Sequence, residues 1–268
     1  MRRRPLPAIE IANTGSLIGT RKRINFVPGS NITLTTADDS GNNRVNVTIA
    51  AGGVSDPLTR LDLSEDFMSG STEVGEVGIL NWTTAATSSS VVSAESDHPG
   101  IFRFTTNTTS GNIARLHLGG SATDGMFYVS NLDTISAIVR PQQNTNMKVK
   151  FGLFQNNNDT GGGTDGIYFE FSTLVGPEWY CITKASSTTT SQATDISVSA
   201  NTWYRLDIVR NGTLIEFYID GALKHNTSSN VPVSSALNAG FMVECRDTGN
   251  AKSLDVDYFR LKSQALNR

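Results

Sequence analysis

Trp203-Tyr-Arg-Leu-Asp-Ile-Val-Arg-Asn-Gly-Thr-Leu-Ile-Glu-Phe-Tyr-Ile-Asp-Gly-Ala-Leu223 contains two runs of strict alternation around a turn. Tyr204, Leu206 and Ile208 alternate with Arg205 and Asp207, and Ile215, Phe217 and Ile219 alternate with Glu216, Tyr218 and Asp220. Successive side chains of a strand point to opposite faces, so each run buries one face and wets the other. Asn211-Gly212 joins the two runs and Asp220-Gly221 closes the second; both dipeptides tolerate the positive φ of a tight turn. The stretch reads as a β-hairpin with one core face.

The same pattern recurs outward from it. Val149, Phe151 and Leu153 alternate with Lys148, Lys150 and Gly152. Ile167, Phe169 and Phe171 alternate with Tyr168 and Glu170, and Phe241, Val243 and Cys245 with Met242, Glu244 and Arg246. Turn-rich sequence separates the runs, the longest being the loop 156–166. The 268 residues include 24 glycines and only 18% charged residues, with no long Ala/Leu/Glu/Lys-rich period to support a helical bundle. No apolar run reaches the ~18–20 residues of a membrane-spanning helix, and membrane insertion is not expected. Hydrophobic content of 38% is too high for a disordered chain. Residues 64–268 are therefore expected to form one two-sheet sandwich.

Upstream, the segments Asn31–Thr36 and Arg44–Ile49 also alternate, around the polar turn 38–43. They predict a hairpin within residues 24–53 whose apolar residues are Ile32, Leu34, Val45, Val47 and Ile49. An isolated hairpin is marginal in water, so this one needs copies of itself or a partner, and a homotrimer is the expected assembly. Asp56 and Pro57 suit the cap and first position of a short helix. Residues 54–63 are expected as a helical neck, with Leu58 and Leu61 on its assembly face. Residues 1–23 carry Arg2, Arg3, Arg4, Arg21, Lys22 and Arg23 against Glu10, a charge of +5. The remainder has 16 cations and 24 acids, or −8, which restores the overall −3. No aromatic residues interleave with this basic start, so docking onto a protein partner is expected rather than nucleic-acid binding. No apolar stretch follows the first arginines, so they are not read as a secretory signal. Cys181 and Cys245 are too few for a disulfide framework and are expected as buried thiols, with one bridge between them left open.

The Trp203–Leu223 stretch resembles a strand pair of concanavalin A-like lectin/glucanase jelly rolls, including laminin-G-like domains. The closing Leu254-Asp-Val-Asp-Tyr-Phe-Arg-Leu261 is similar to the last strand of that fold. Asp97-His-Pro-Gly-Ile-Phe-Arg103, with Ala114-Arg-Leu-His-Leu-Gly119, is similar to a subset of these domains in bacteriophage structural proteins. The segment 23–50 resembles a module recurrent in phage tail-fibre and minor tail proteins. Together these resemblances cover most of residues 23–262. They imply an all-β chain: a short N-terminal β-hairpin oligomerisation module followed by a concanavalin A-like jelly-roll β-sandwich. They also imply a virion component made in the host cytoplasm. Residues 1–23 would anchor it, contacts to other tail or baseplate proteins would run through residues 1–53, and the jelly roll would bind host-surface polysaccharide without covalent chemistry. A capsid decoration or head-fibre protein is the structural alternative. A polysaccharide-degrading glycoside hydrolase is the enzymatic one.

Glucanases of this superfamily place Glu-x-Asp-x-(x)-Glu along one strand to supply nucleophile and general acid. No such run occurs here. Asp255 and Asp257 share a strand face, as do Glu216 and Asp220, and these acids are expected to be simply solvated. His98, His117 and His225 lack metal-ligand spacing; His98, before Pro99-Gly100, reads as a turn residue. The loop 156–166 has oxygen ligands in Asp159 and Asp165 but not the spacing of a calcium loop. No metal or cofactor is expected. Sugar binding calls for aromatic platforms beside polar groups. The candidates are Trp179, Tyr180, Trp82 and Tyr128, with Trp203 assigned to the core.

Overall fold

The computed structural model describes residues 60–68, 77–118, 125–155 and 163–264, together with the backbone of four strands within residues 9–51. The chain divides into two units, Met1–Pro57 and Leu58–Arg268.

In the first unit, β1 (Ile9–Asn13) pairs antiparallel with β2 (Ser16–Arg21), and β3 (Ile32–Asp39) with β4 (Arg44–Ala51). The second pair is the hairpin read from sequence, extended by a few residues. Its register sets Leu34 opposite Ile49, Thr36 opposite Val47 and Asp38 opposite Val45. The five apolar residues thus occupy positions of one parity in the ladder. The first pair is a departure, because a segment expected to be extended forms strands of its own. Arg21 closes β2; Arg2, Arg3, Arg4, Lys22 and Arg23 lie outside the described residues.

The second unit begins with β5 (Leu61–Glu65). Leu61 was expected in a helical neck; it is instead in a strand paired with Ser263, and it packs against the sandwich core. Leu58 and the rest of residues 54–59 lie outside the described residues. After β5 come β6 (Thr83–Ala85), β7 (Ser88–Val92), β8 (Ile101–Thr105), β9 (Ile113–His117) and β10 (Phe127–Tyr128). A 3-10 turn at Val129–Asn131 leads into β11 (Leu132–Pro141) and β12 (Met147–Phe154). Next are β13 (Gly166–Ser172), β14 (Glu178–Ala185), β15 (Thr188–Ser197) and β16 (Tyr204–Asn211). β17 (Leu214–Ile219), β18 (Ala222–Thr227), β19 (Ala236–Cys245) and β20 (Ser253–Ser263) complete the unit.

These strands form two antiparallel sheets of eight. One runs β15-β14-β13-β12-β19-β9-β6, with β10 beside β19; the other runs β18-β17-β16-β11-β20-β8-β7, with β5 beside β20. The sheets meet through the alternating apolar residues. Phe169 of the first packs edge-on to Phe217 of the second at 5.2 Å, and Trp179 meets Tyr204 at 5.8 Å. Trp82 packs on Phe241 and edge-on to Phe259 at 4.7 Å. Large rings dominate this interface because each removes 150–250 Å² from water. The two cysteines are free and buried, and burial pushes the Cys181 thiol far above its ordinary pKa.

Two glycines face each other across β12 and β19. Gly152 has φ +148°, and a Cβ there would fall 2.4 Å from the Ile167 carbonyl oxygen; at Gly240 it would fall 2.5 Å from that of Leu116. Only a residue without Cβ allows the strands to approach this closely.

Where the unit's chain enters and where it leaves are neighbours, since Leu61 pairs with Ser263. The opposite end of the sandwich gathers the turns around 141–146, 173–177, 198–203 and 246–252, tied by Asn201 N–H to Pro141 O, Val198 N–H to Pro177 O and Arg246 N–H to Asn146 O.

Candidate functional site

The outward face of the second sheet carries a trough about two strand spacings wide, ~10 Å. β11 is its floor, flanked by β16 and β20. Outward residues of β11 near its start are small, Thr134 and Ser136, whereas those on both neighbours are long. The register sets them in rows: Val209, Thr134 and Lys262; Asp207, Ser136 and Arg260; Arg205, Ile138 and Tyr258. Tyr218, opposite Asp207 on β17, widens the β16 wall. The result is a groove of about 430 Å³ lined by two tyrosines, three cations, one carboxylate and two hydroxyls.

The wall residues are held in place. Arg205 Nε lies 3.0 Å from Asp207 Oδ2, and the backbone N–H of Arg205 donates to Asp220 Oδ1 at 2.8 Å. Arg260 forks onto Asp62 of β5 at 3.0 and 2.9 Å; Lys262 is 3.9 Å from the same carboxylate. The Arg260 fork holds the Asp62 carboxyl below its usual range. The Tyr218 hydroxyl donates to Glu216 Oε2 at 2.7 Å and Asn211 Nδ2 donates to Glu216 Oε1 at 3.0 Å, which lowers the Glu216 pKa and raises that of Tyr218.

Towards the turn-rich end, the same face ends in a charged and aromatic cluster. Asp255, on the outward side of β20 but wholly buried, accepts from Arg103 Nε and Nη2 at 2.6 and 2.8 Å. It also accepts from Arg140 Nη2 and from Gln142 Nε2, each at 2.7 Å. Arg140 reaches on to Glu95 at 2.7 Å and lies over the Trp203 ring at 4.4 Å. The Trp203 indole N–H donates to the other Glu95 oxygen at 3.2 Å, and its ring stacks on His98 at 4.2 Å. His98 Nδ1 lies 2.8 Å from Asp257 Oδ2. The Arg140 and Trp203 hydrogen bonds keep the Glu95 carboxyl below its usual range.

Several expectations are corrected here. Asp255 and Asp257 are not solvated acids; both are buried and bonded to cationic or imidazole partners. Trp203 is not a core residue. It begins the outward parity of β16, while Tyr204 begins the inward one. His98 does close a turn, bridged to Glu95, and it also joins the cluster. Asp165 is a turn staple, accepting from Ser186 N–H and the Thr164 hydroxyl; Asp159 lies outside the described residues. Among the described residues no group of three or more His, Cys, Asp or Glu is arranged to hold a metal.

The four aromatic candidates are not brought together. Trp82 and Trp179 are 0% exposed and belong to the core, which removes both as platforms. Tyr180 lies on the outward face of the other sheet, against Phe154, Tyr168, Ile182 and Met242. Tyr128 is 45% exposed and borders a separate, more apolar hollow with Met126 and Leu61. The tyrosines that do line the trough, Tyr218 and Tyr258, were passed over. Parity marks Tyr218, which alternates with the core residues Phe217 and Ile219, but not Tyr258, which shares the parity of the core residues Leu254 and Val256 until a register shift in β20 turns it outward.

The outward positions of β13 are Gly166, Tyr168, Glu170 and Ser172. The single carboxylate there, Glu170, is 3.6 Å from both Lys148 and Lys150.

Two sheets of these strand orders, closed over one aromatic core, define a jelly-roll domain of the lectin and glucanase type. A family model described as the concanavalin A-like lectin/glucanases superfamily matches residues 119–268, and the chain belongs to that superfamily. No curated protein matches the sequence. Among solved structures, a protein of unknown function from Shewanella oneidensis MR-1 superposes with TM-score 0.56 at 15% identity, covering 77% of this chain and 87% of that one. The carbohydrate recognition domain of Emp47p gives TM-score 0.53 at 14% identity, covering 79% and 100%. The laminarinase catalytic domain of Thermotoga maritima MSB8 gives 0.52 at 13%, covering 76% and 98%. At such identities these likenesses establish the fold.

Proposed function

We propose that this chain is a phage virion component, a trimeric tail fibre or adhesin that docks through its N-terminal unit and holds host-surface glycan non-covalently in the trough over β11. The observation that carries the glycan reading is the trough itself: two half-buried tyrosines beside fixed hydrogen-bonding groups on an outward sheet face. Aromatic faces take the apolar side of a sugar ring, and oriented donors and acceptors take its hydroxyls. Membership in a superfamily of lectins and glucanases is compatible with that use. The virion assignment rests on the sequence resemblances at 23–50, 97–103 and 114–119. Weak contacts at a single trough become firm attachment when three are presented together.

The reading assigns no covalent chemistry. The trough lining holds one carboxylate, Asp207, already engaged by Arg205, where glycoside hydrolysis needs two across the scissile bond. Release of reducing ends from any polysaccharide by the purified chain would favour the hydrolase instead.

The test is an array of bacterial surface polysaccharides probed with the purified full chain and with Tyr258→Ala. Retention by the parent chain and at least ~10-fold weaker retention by the variant is expected for a lost stacking contact of about 1.4 kcal/mol. A blank array overturns the glycan reading. Immunogold label on capsids instead of tails overturns the adhesin assignment.

A further inference from the structure

The charge of the trough runs against that of the unit around it. Residues 58–268 carry 15 lysines and arginines against 21 acids, a net −6. The trough lining nevertheless holds Arg205, Arg260 and Lys262 against Asp207 alone. The carboxylates of Glu216 and Asp220 also border the trough, but on the β17 side, where the Tyr218 hydroxyl, Asn211 and the Arg205 backbone N–H engage them. Asp207 serves Arg205 and Asp62 serves Arg260, which leaves the Lys262 ammonium at 3.9 Å from a carboxylate already forked by a guanidinium. The walls also differ. The β20 wall presents Tyr258, Arg260 and Lys262, with the two cations at i and i+2, about 6.8 Å apart along the strand. The β16 side presents Arg205 already paired with Asp207, and beyond them the Tyr218 ring of β17.

We infer that the trough selects an acidic polysaccharide, with the carboxylates of its sugars along the β20 wall and its neutral edge towards Tyr218. The inference rests on the glycan reading above and names the ligand class within it. A neutral glycan would leave the Lys262 charge without a new partner. An acidic one gives it a charge-assisted hydrogen bond, and Arg260 can share its remaining donors. Within a unit of net negative charge, a lining with three cations and one carboxylate lowers the electrostatic cost of seating a polyanion there.

The test uses the full chain and one backbone in two charge states: polygalacturonate, and the same polymer with its carboxyls reduced to hydroxymethyl groups. Affinities are read by calorimetry at 50 and 300 mM NaCl, a range over which the screening length falls about 2.4-fold. Polygalacturonate should bind at least ~10-fold tighter than the reduced polymer, the worth of one charge-assisted hydrogen bond. That preference should shrink at high salt. Lys262→Gln should weaken polygalacturonate binding by a several-fold larger factor than it weakens binding of the reduced polymer, and Arg205→Gln serves as a second variant in which the Asp62 fork is intact. Equal binding of the two polymers, or tighter binding of the reduced one, overturns the inference and leaves the glycan reading standing. A preference for polygalacturonate that survives both variants overturns it too, by placing the acid site elsewhere. Binding of neither polymer, together with neutral glycans retained on the array, again overturns the inference alone; with a blank array both readings fall.

Discussion

His117 ends β9 on the outward side of the first sheet, yet it is only 1% exposed and its Nδ1 has no hydrogen-bond partner among the described residues. Burial and the nearby Arg115 guanidinium push its pKa from 6.5 down to about 4. The unfolded chain therefore takes up a proton near pH 6.5 that the folded chain refuses until about pH 4. Stability must fall as pH is lowered through that window and level off below it. Denaturant midpoints measured at pH 7.5 and 4.5 should converge in His117→Gln relative to the parent; an unchanged gap would assign the acid sensitivity to other groups. At this scale the sequence was a partial guide. Period-2 parity separates Trp179 from Tyr180, and Trp203 from Tyr204, but does not say which of two parities faces the core. Trp179 follows the turn Gly176-Pro177 and so reads as a platform, and Trp203 opens a strand and so reads as core; parity reverses both, since Trp203 shares its face with Arg205 and Asp207 and Trp179 shares its face with Cys181.

Asp255 works between elements. Through Arg103 it ties β20 to β8, and through Arg140 and Gln142 it ties β20 to β11 and the turn beyond. Taking one member from a buried ion cluster leaves the others unpaired, typically at about 3–5 kcal/mol. Asp255→Asn should lower unfolding stability towards the low end of that range, because the Arg103 side chain keeps 34% of its surface in water. Urea denaturation measures this; a loss under about 1 kcal/mol would mean that solvent already satisfies both guanidiniums. The longer strands were legible, since alternation of apolar and polar residues marks them; the short β6, β7 and β10 carry no such pattern. The cluster was not legible. Asp255 and Asp257 have the spacing of ordinary outward acids; the arginines of Asp255 lie 152 and 115 residues away in sequence, and the His98 partner of Asp257 lies 159 away. The helical reading of residues 54–63 failed in part for a related reason. A cap residue and two leucines of helical spacing also suit a strand, and pairing of Leu61 with Ser263 decides between them at 61.

For the molecule as a whole, the division at Pro57 gives the assembly proposal a clean experiment. The sandwich has its own aromatic core and two complete sheets, so residues 58–268 should fold alone. If the N-terminal unit makes the trimer, this fragment should be monomeric by light scattering while the full chain is trimeric. A trimeric fragment would transfer the contacts to the sandwich. The two units differ in how far the sequence could describe them. The sandwich states its own core, whereas a hairpin of eight-residue strands has one apolar parity, and two strands alone are marginal in water.

The pairing of Leu61 with Ser263 has a topological consequence. Antiparallel partners have Cα atoms about 4.5–5.5 Å apart, a gap that a few residues of flexible linker can span. The sandwich is thus close to a closed loop of chain, and its order of strands around that loop is set independently of where the loop is cut. Joining those two positions and reopening the chain at the exposed turn Thr248-Gly249 would retain every strand partner of the sandwich while moving its termini to the opposite, turn-rich end. The trough would then have the same floor and walls but hang from the other side of its scaffold, a geometry in which recognition and presentation can be varied separately.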